Sequence, residues 1–293
     1  MKFGLILPNF GAIASADAIG QSARLAEELG FDSAWTTDHV LMPASMPDPY
    51  GNLVESLIAL SAAAAVTQRV KLGTSIIVTP QREPVLLAKQ LASIDAISGG
   101  RLILGAGVGW LEQEFDYLNA DYANRGARFD EGLALARALW AGQGSFRGQF
   151  SAFDNALFSP LPDRGGELPI WIGGNSARAI HRAATIADGW HPVGLTPPEL
   201  AAGSALLRAK ANGRSVILSL RTNIELLAAG ETSKGYQAPG HAPSGSASDI
   251  VRELRDYQQA GLEYAVVWLF HESWDELESK TRQFAADVMP NFR

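Results

Sequence analysis

The run Val70-Lys71-Leu72-Gly73-Thr74-Ser75-Ile76-Ile77-Val78, followed by Pro84 to Ser98 and then by Gly99-Gly100-Arg101-Leu102-Ile103-Leu104-Gly105-Ala106, decides how the chain is built. Val70–Val78 is rich in β-branched residues and reads as a buried strand. Pro84 suits the first turn of a helix, where its missing N–H costs nothing. Leu87, Leu91 and Ile94 then share one helical face, and Gly99-Gly100 ends the helix before a second strand at Arg101–Ala106. Two strands joined by a helical crossover run parallel.

The same unit recurs in both directions. Toward the N-terminus, Phe3–Leu7 is a strand closed by Pro8. Ser15 caps a helix carrying Ile19, Ala23, Ala26 and Leu29, and Gly30 ends it. Phe31–Thr36 is the second strand and Glu55–Val66 the second helix. Toward the C-terminus, a helix over Arg128–Trp140 repeats Phe129, Leu133 and Ala136, and Gly142–Leu168 reads as a loop or small hairpin. Strands at Pro169–Ile172, Gly189–Val193, Val216–Thr222 and Tyr264–Phe270 alternate with helices at Ser176–Ala187, from Pro197-Pro198, from Ala247 and over Trp274–Val288. Eight strand–helix units predict a single (β/α)8 barrel domain over residues 1–293. An open doubly wound sheet is the competing reading. Its Gly-rich fingerprint should follow the first strand, and Asn9-Phe10-Gly11-Ala12 is not that pattern.

Composition narrows the function. The 293 residues hold 31 acidic against 24 basic side chains, a formal charge of −7, which argues against duplex nucleic acid and anionic membrane as partners. Cysteine is absent, so disulfides, thiolate nucleophiles and cysteine-ligated zinc are excluded. Met1–Pro8 is too short an apolar run for a signal peptide, and no stretch is long enough to span a membrane. The expectation is a cytoplasmic protein acting on a small molecule.

In a barrel of this kind chemistry sits at the C-terminal ends of the strands. There the sequence places Asp38-His39, Thr74-Ser75-Ile76, Gly105–Trp110, Gly173-Gly174-Asn175-Ser176, Trp190-His191 and Phe270-His271. An imidazole at a barrel mouth can donate or take a proton, which makes His39 a catalytic candidate, with Asp38 a candidate to fix its tautomer; the bland alternative is a loop histidine bonded to a backbone carbonyl. Gly173–Ser176 opens a helix, so exposed amides and the helix dipole form an anion site, or simply a tight turn. Gly105-Ala106-Gly107-Val108-Gly109-Trp110 lacks the spacing of a dinucleotide fingerprint; small residues there let a flat ring approach the backbone, with Trp110 and Trp190 as walls or core. The five histidines are scattered and form no metal set. The charge-rich run Arg125–Glu131 reads as an ion-pair network at a helix start.

Taken together, Gly4–Asn9, Thr37-Asp38-His39, Leu72–Ser75, Leu87–Gln90, Ser98–Arg101, Gly107–Trp110, Pro169–Gly174 and Ala187–Trp190 resemble the luciferase-like flavin and deazaflavin oxidoreductase superfamily, in particular its coenzyme F420-dependent branch. The resemblance covers nearly the whole chain. It implies an F420-dependent hydride transfer, with FMN as the alternative cofactor, and His39 as proton donor or substrate polariser. Ser75 and Ile76 would lie beneath the ring, Val108 and Gly109 along it, and Gly173, Gly174, Asn175 and Ser176 at the phosphate. It further implies a cis peptide at Ser75–Ile76, a homodimer and a lid over Ala229–Ser244; Arg82 and Arg178 are candidates for the acidic F420 tail. A cofactor-free barrel lyase and a non-catalytic flavin-binding relic are the competing functions.

Overall fold

The computed structural model describes residues 1–46, 49–228, 230–236 and 240–292. The N-terminal units are β1 (Lys2–Ile6), α1 (Ala16–Glu28), β2 (Ser33–Thr36), α2 (Ser56–Val66), β3 (Lys71–Thr74), β4 (Ile77–Val78), α3 (Pro84–Ser98) and β5 (Leu102–Gly107). Next come α4 (Glu112–Tyr117), α5 (Arg125–Trp140), the hairpin β6 (Phe146–Arg147) and β7 (Ala152–Phe153), β8 (Ile170–Gly173), α6 (Ala177–Ile186), β9 (Gly189–His191) and α7 (Pro197–Ala211). The chain closes with β10 (Ile217–Leu226), β11 (Ser244–Gly245), α8 (Ala247–Gln259), β12 (Tyr264–Leu269) and α9 (Trp274–Gln283).

Strands β1, β2, β3, β5, β8, β9, β10 and β12 pair in that order, all parallel, and β12 returns to β1. The sheet is a closed eight-stranded barrel with helices between the strands, as the alternating pattern predicts. Local signals act where they were read. Ser15 caps α1 by accepting from the Ala18 amide, Pro84 opens α3, and Gly99 ends it in the left-handed region at φ 69°.

Alternation along each strand divides the buried residues in two. Phe3, Leu5, Ala34, Leu72, Leu104, Ile172 and Leu220 pack outward on the helices, whereas Ile6, Trp35, Ile103, Trp171, Tyr264 and Val266 fill the lumen. Trp35 and Trp171 lie 5.1 Å apart across it. Glycine makes this possible: a methyl at Gly4 or Gly73 would overlap the Trp35 ring, and one at Gly189 the Trp171 ring. The Trp35 indole N–H and the Tyr264 hydroxyl both donate to Ser33 Oγ, so the polar edges of these rings are satisfied inside the barrel.

Several boundaries differ from the sequence reading. The strand expected over Val70–Val78 is split into β3 and β4, and the Ser75–Ile76 peptide between them is cis, as the resemblance implies. Helix α5 starts at Arg125, and the short α4 before it has too few residues to show a period. Strand β10 runs on to Leu226, because its last residues still pair with β12 and with β11 beyond them. Of the proposed lid, Ala229 and residues 237–239 lie outside the described residues. The rest is tied to the top of β10: Glu225 accepts from Ser233 and Ser244 hydroxyls and from the Lys234 amide, and Tyr236 stacks on Phe270 at 4.4 Å.

Candidate active site

His39 follows β2 at the C-terminal mouth of the barrel and is 8% exposed. Its partner is Glu114 on α4, which the sequence reading missed: Nδ1 lies 3.0 Å from Glu114 Oε2. The other carboxylate oxygen accepts from the amides of Val40 and Leu41 at 2.6 and 3.2 Å, so the carboxylate cannot swing away. Burial works to raise the Glu114 pKa, but the bonds from His39 and the Val40 amide outweigh it and hold the carboxyl down to about 2. An ionised Glu114 accepts only, so His39 donates from Nδ1 and in the neutral ring Nε2 carries the lone pair. Tyr50 covers the imidazole at 4.7 Å between ring centroids and Trp110 meets it edge-on at 6.2 Å. Beside it opens a cavity of about 270 Å³, lined by His39, Met42, Tyr50 and Leu53.

Asp38 does not orient His39. It accepts from both Arg82 nitrogens at 2.8 and 2.7 Å and from the Val78 amide at 2.9 Å, pinning β4 to the loop after β2. Burial disfavours the Arg82 cation, but Asp38 and Glu55 together push its pKa above the usual value. With both ends occupied, Arg82 is not free for an acidic cofactor tail. Adjacent residues turn to opposite sides here, which is why Asp38 and His39 find different partners.

Ser75 belongs to a buried relay. Ser219 Oγ donates to the Trp190 carbonyl at 2.9 Å, so it accepts from His191 Nδ1 at 2.7 Å. His191 Nε2 then has no proton, and Ser75 Oγ donates to it at 2.9 Å. Burial, helped by the Arg221 charge, drives the His191 pKa to about 3, keeping the ring neutral. The Ser75 hydroxyl proton is thus committed inward, and only its lone pairs remain for a ligand. The Ser75 carbonyl accepts from Arg221 Nη1 at 2.7 Å.

The glycines at and just beyond the ends of β5 and β8 make room for neighbouring side chains. A methyl at Gly107 or Gly173 would collide with the Ile76 side chain, and one at Gly109 with Val78 and Phe115. The space beside these glycines is filled by neighbouring side chains, so they leave no open notch. Trp190 is core, its indole N–H donating to the Gly174 carbonyl, while Trp110 is 58% exposed.

Gly174 has φ 109° and leads into α6. The Asn175 amide group exchanges two hydrogen bonds with the Val193 backbone, at 2.8 and 3.0 Å, tying this turn to the end of β9. Ser176 caps α6 by accepting from Ala179. Both side chains are used within the protein, and what the turn offers an anion is its first-turn amides. Of the charged run Arg125–Glu131, Asp130 pairs with Arg182, and Glu131 instead accepts the amides of residues 149–151. Among the described residues no cluster of three metal-ligating side chains exists, and no helix is long and apolar enough to cross a membrane.

A parallel (β/α)8 barrel with a carboxylate-bound histidine at its mouth is the frame of an enzyme that works on a ligand seated on the βα loops. Residues 1–229 match the luciferase-like monooxygenase family, and the chain belongs to it. It is 36% identical over 191 residues to an F420-dependent glucose-6-phosphate dehydrogenase of Nakamurella multipartita, a match covering 62% of this chain and 55% of that protein. The chain spans 66% of the length of the first curated relatives it matches. Among solved structures it superposes on the coenzyme F420-dependent tetrahydromethanopterin reductase of Methanopyrus kandleri with a TM-score of 0.81 at 18% identity, covering 100% of this chain and 99% of the other. The FMN-bound oxygenating component of 3,6-diketocamphane monooxygenase from Pseudomonas putida gives 0.79 at 16% identity, covering 99% and 98%.

Proposed function

We propose that this chain is an oxidoreductase that binds coenzyme F420 in the barrel mouth and transfers a hydride between it and a small organic substrate. The observation that carries the reading is the buried His39–Glu114 pair, a proton-handling group held against a fixed carboxylate. The F420-dependent relative and structural neighbour support the choice of cofactor; FMN, present in the second neighbour, is the alternative.

The residues fit such a group. Thr37 Oγ1, two residues before His39, is buried without a partner, Ser75 presents lone pairs only, and the first-turn amides of α6 suit an anion. In this reading Ser75, the Ile76 backbone, Val108 and Gly109 hold the ring, and Gly173, Gly174, Asn175 and Ser176 hold the phosphate through their amides. When bound, the deazaflavin or flavin supplies a carbon or nitrogen centre that takes or gives a hydride. His39 moves the accompanying proton at Nε2. Glu114 stabilises the imidazolium and fixes the ring plane. Tyr50 and the loop bound to Glu225 exclude water.

The same reading makes the protein a homodimer. Helix α2 is apolar on every side, yet Ile58 on it and Val85, Leu86 and Ile97 on the adjacent α3 are exposed. A second copy would cover that face. The test of the cofactor assignment is fluorescence titration of the apo protein. F420 should bind about tenfold or more tightly than FMN, a difference of roughly 1.4 kcal/mol. Tighter FMN binding would move the protein to the monooxygenase side of the family, and binding of neither would remove the oxidoreductase reading.

A further inference from the structure

The half of the lumen beneath β10, β12 and β1 carries polar groups that the site described above does not use. Ser219 faces inward, since it bonds His191, and strand alternation turns Arg221 and Asn223 inward as well. They are 7% and 5% exposed. Arg221 spends Nη1 on the Ser75 carbonyl, but its Nε finds no acceptor. Asn223 Oδ1 finds no donor. Trp268, its register partner on β12, has an indole N–H without an acceptor.

No carboxylate among the described residues pairs with Arg221; the acidic group that faces it is the Tyr50 phenol. The carboxylates of the mouth have other partners: Asp38 has Arg82, Glu114 has His39, and Glu225 has the loop above it. A buried cation with no counter-charge is costly, and so is each buried polar atom left unpaired. Three together, on neighbouring strands of a barrel mouth, describe a site completed by a ligand. Its walls are aromatic: Phe10 lies 5.9 Å from the guanidinium and stands 5.4 Å from Tyr50 and 5.3 Å from Trp268.

We propose that Arg221, Asn223 and Trp268 form a subsite for the carboxylate end of a small 2-hydroxy acid substrate. One carboxylate oxygen accepts from Arg221 Nε and the other from Trp268 Nε1, while the adjacent hydroxyl donates to Asn223 Oδ1. This pairs every orphaned atom and supplies the missing negative charge. The cofactor positions considered above lie on β2 to β8, and the subsite on β10 and β12 adjoins them through the Arg221–Ser75 bond while using different atoms. That the ligand is a substrate rests on the oxidoreductase reading; that it binds does not.

The test is calorimetric titration of the full chain with lactate, its neutral isostere lactamide, and propionate, each with and without saturating F420 or FMN. Lactate should bind at least about tenfold more tightly than lactamide, the worth of one charge-assisted hydrogen bond. Propionate should fall between them, and the cofactor should leave the lactate affinity within about threefold. Trp268→Phe, which removes one N–H and keeps the ring, should weaken lactate several-fold without changing propionate's rank. Arg221→Met should abolish binding; if it does not fold, Asn223→Leu and Trp268→Phe decide. No lactate binding, equal affinity for lactamide, or indifference to Trp268→Phe overturns the proposal. So does displacement of lactate by cofactor, which would assign the polar groups to the cofactor ring. Failure of both cofactors to bind would refute the oxidoreductase reading alone and leave the lactate–lactamide contrast intact.

Discussion

Replacing Glu114 by Gln removes one charge and almost no volume, and its effect can be sized from the geometry. A carboxyl held at about 2 in the folded protein instead of the usual 4.5 contributes roughly 3 kcal/mol at neutral pH, at about 1.4 kcal/mol per pH unit. Glu114 is 1% exposed, so solvent screening takes little from this figure. Relaxation of the amides of Val40 and Leu41 toward the Gln oxygen recovers part of it, which leaves an expected loss of about 2–3 kcal/mol. The sign follows from the lowered pKa. The contribution is fully present above the unfolded value near 4.5 and is lost as pH falls toward 2, because the unfolded chain takes up the proton first. Urea unfolding of both proteins from pH 7 to pH 3 measures it. The gap should be constant above about pH 5.5 and shrink by about 2 kcal/mol by pH 3. A gap that stays level across that range would mean that Glu114 is not held ionised by His39 and the two amides, and the argument for a fixed Nδ1 proton would go with it.

Other consequences can be checked separately. His39→Ala should lower kcat by about 100-fold or more while cofactor affinity stays within a few-fold, since a proton donor acts in the transition state; retention of kcat within twofold in steady-state assays would assign His39 another role. Arg82→Met leaves Asp38 as a buried carboxylate without its counter-ion and should cost about 3–5 kcal/mol in chemical denaturation. Indifference to that change would show that the pair with Asp38 is not structural. Ile97→Lys on the exposed face of α3 should give a monomer by light scattering with an unchanged circular dichroism spectrum; a wild-type protein that is already monomeric would refute the dimer.

The barrel was readable because its punctuation is local. Ser15, Gly30, Pro84 and Gly99 act on the residues beside them, and apolar periodicity needs only a short window. Glu114 was not readable for the opposite reason. It sits in a six-residue helix, among the acidic residues Glu112 and Asp116, where nothing local separates a buried carboxylate from a solvated one. Its partner lies 75 positions away. The assignment of Asp38 to His39 failed on the same point, since neighbours in sequence need not share a direction. His191 was seen as a strand end, but the hydroxyls that fix its tautomer come from β10 and from the residue after β3. That Ile76 fills the space beside the glycines at 107 and 173 was likewise out of reach, because only the folded chain brings them together.

The pair of indoles in the lumen gives the protein an optical signature of its own. Trp35 and Trp171 are buried, 5.1 Å apart and inclined by 32°. At that separation their strong far-ultraviolet indole transitions couple, so the circular dichroism of the intact barrel should carry, on top of the helical backbone signal, an exciton doublet that neither ring gives alone. Trp35 enters from β2 and Trp171 from β8, so parting those strands uncouples the chromophores even where the helices outside keep their form. Loss of the doublet ahead of the helical backbone bands on heating would therefore mark the opening of the barrel without any added label.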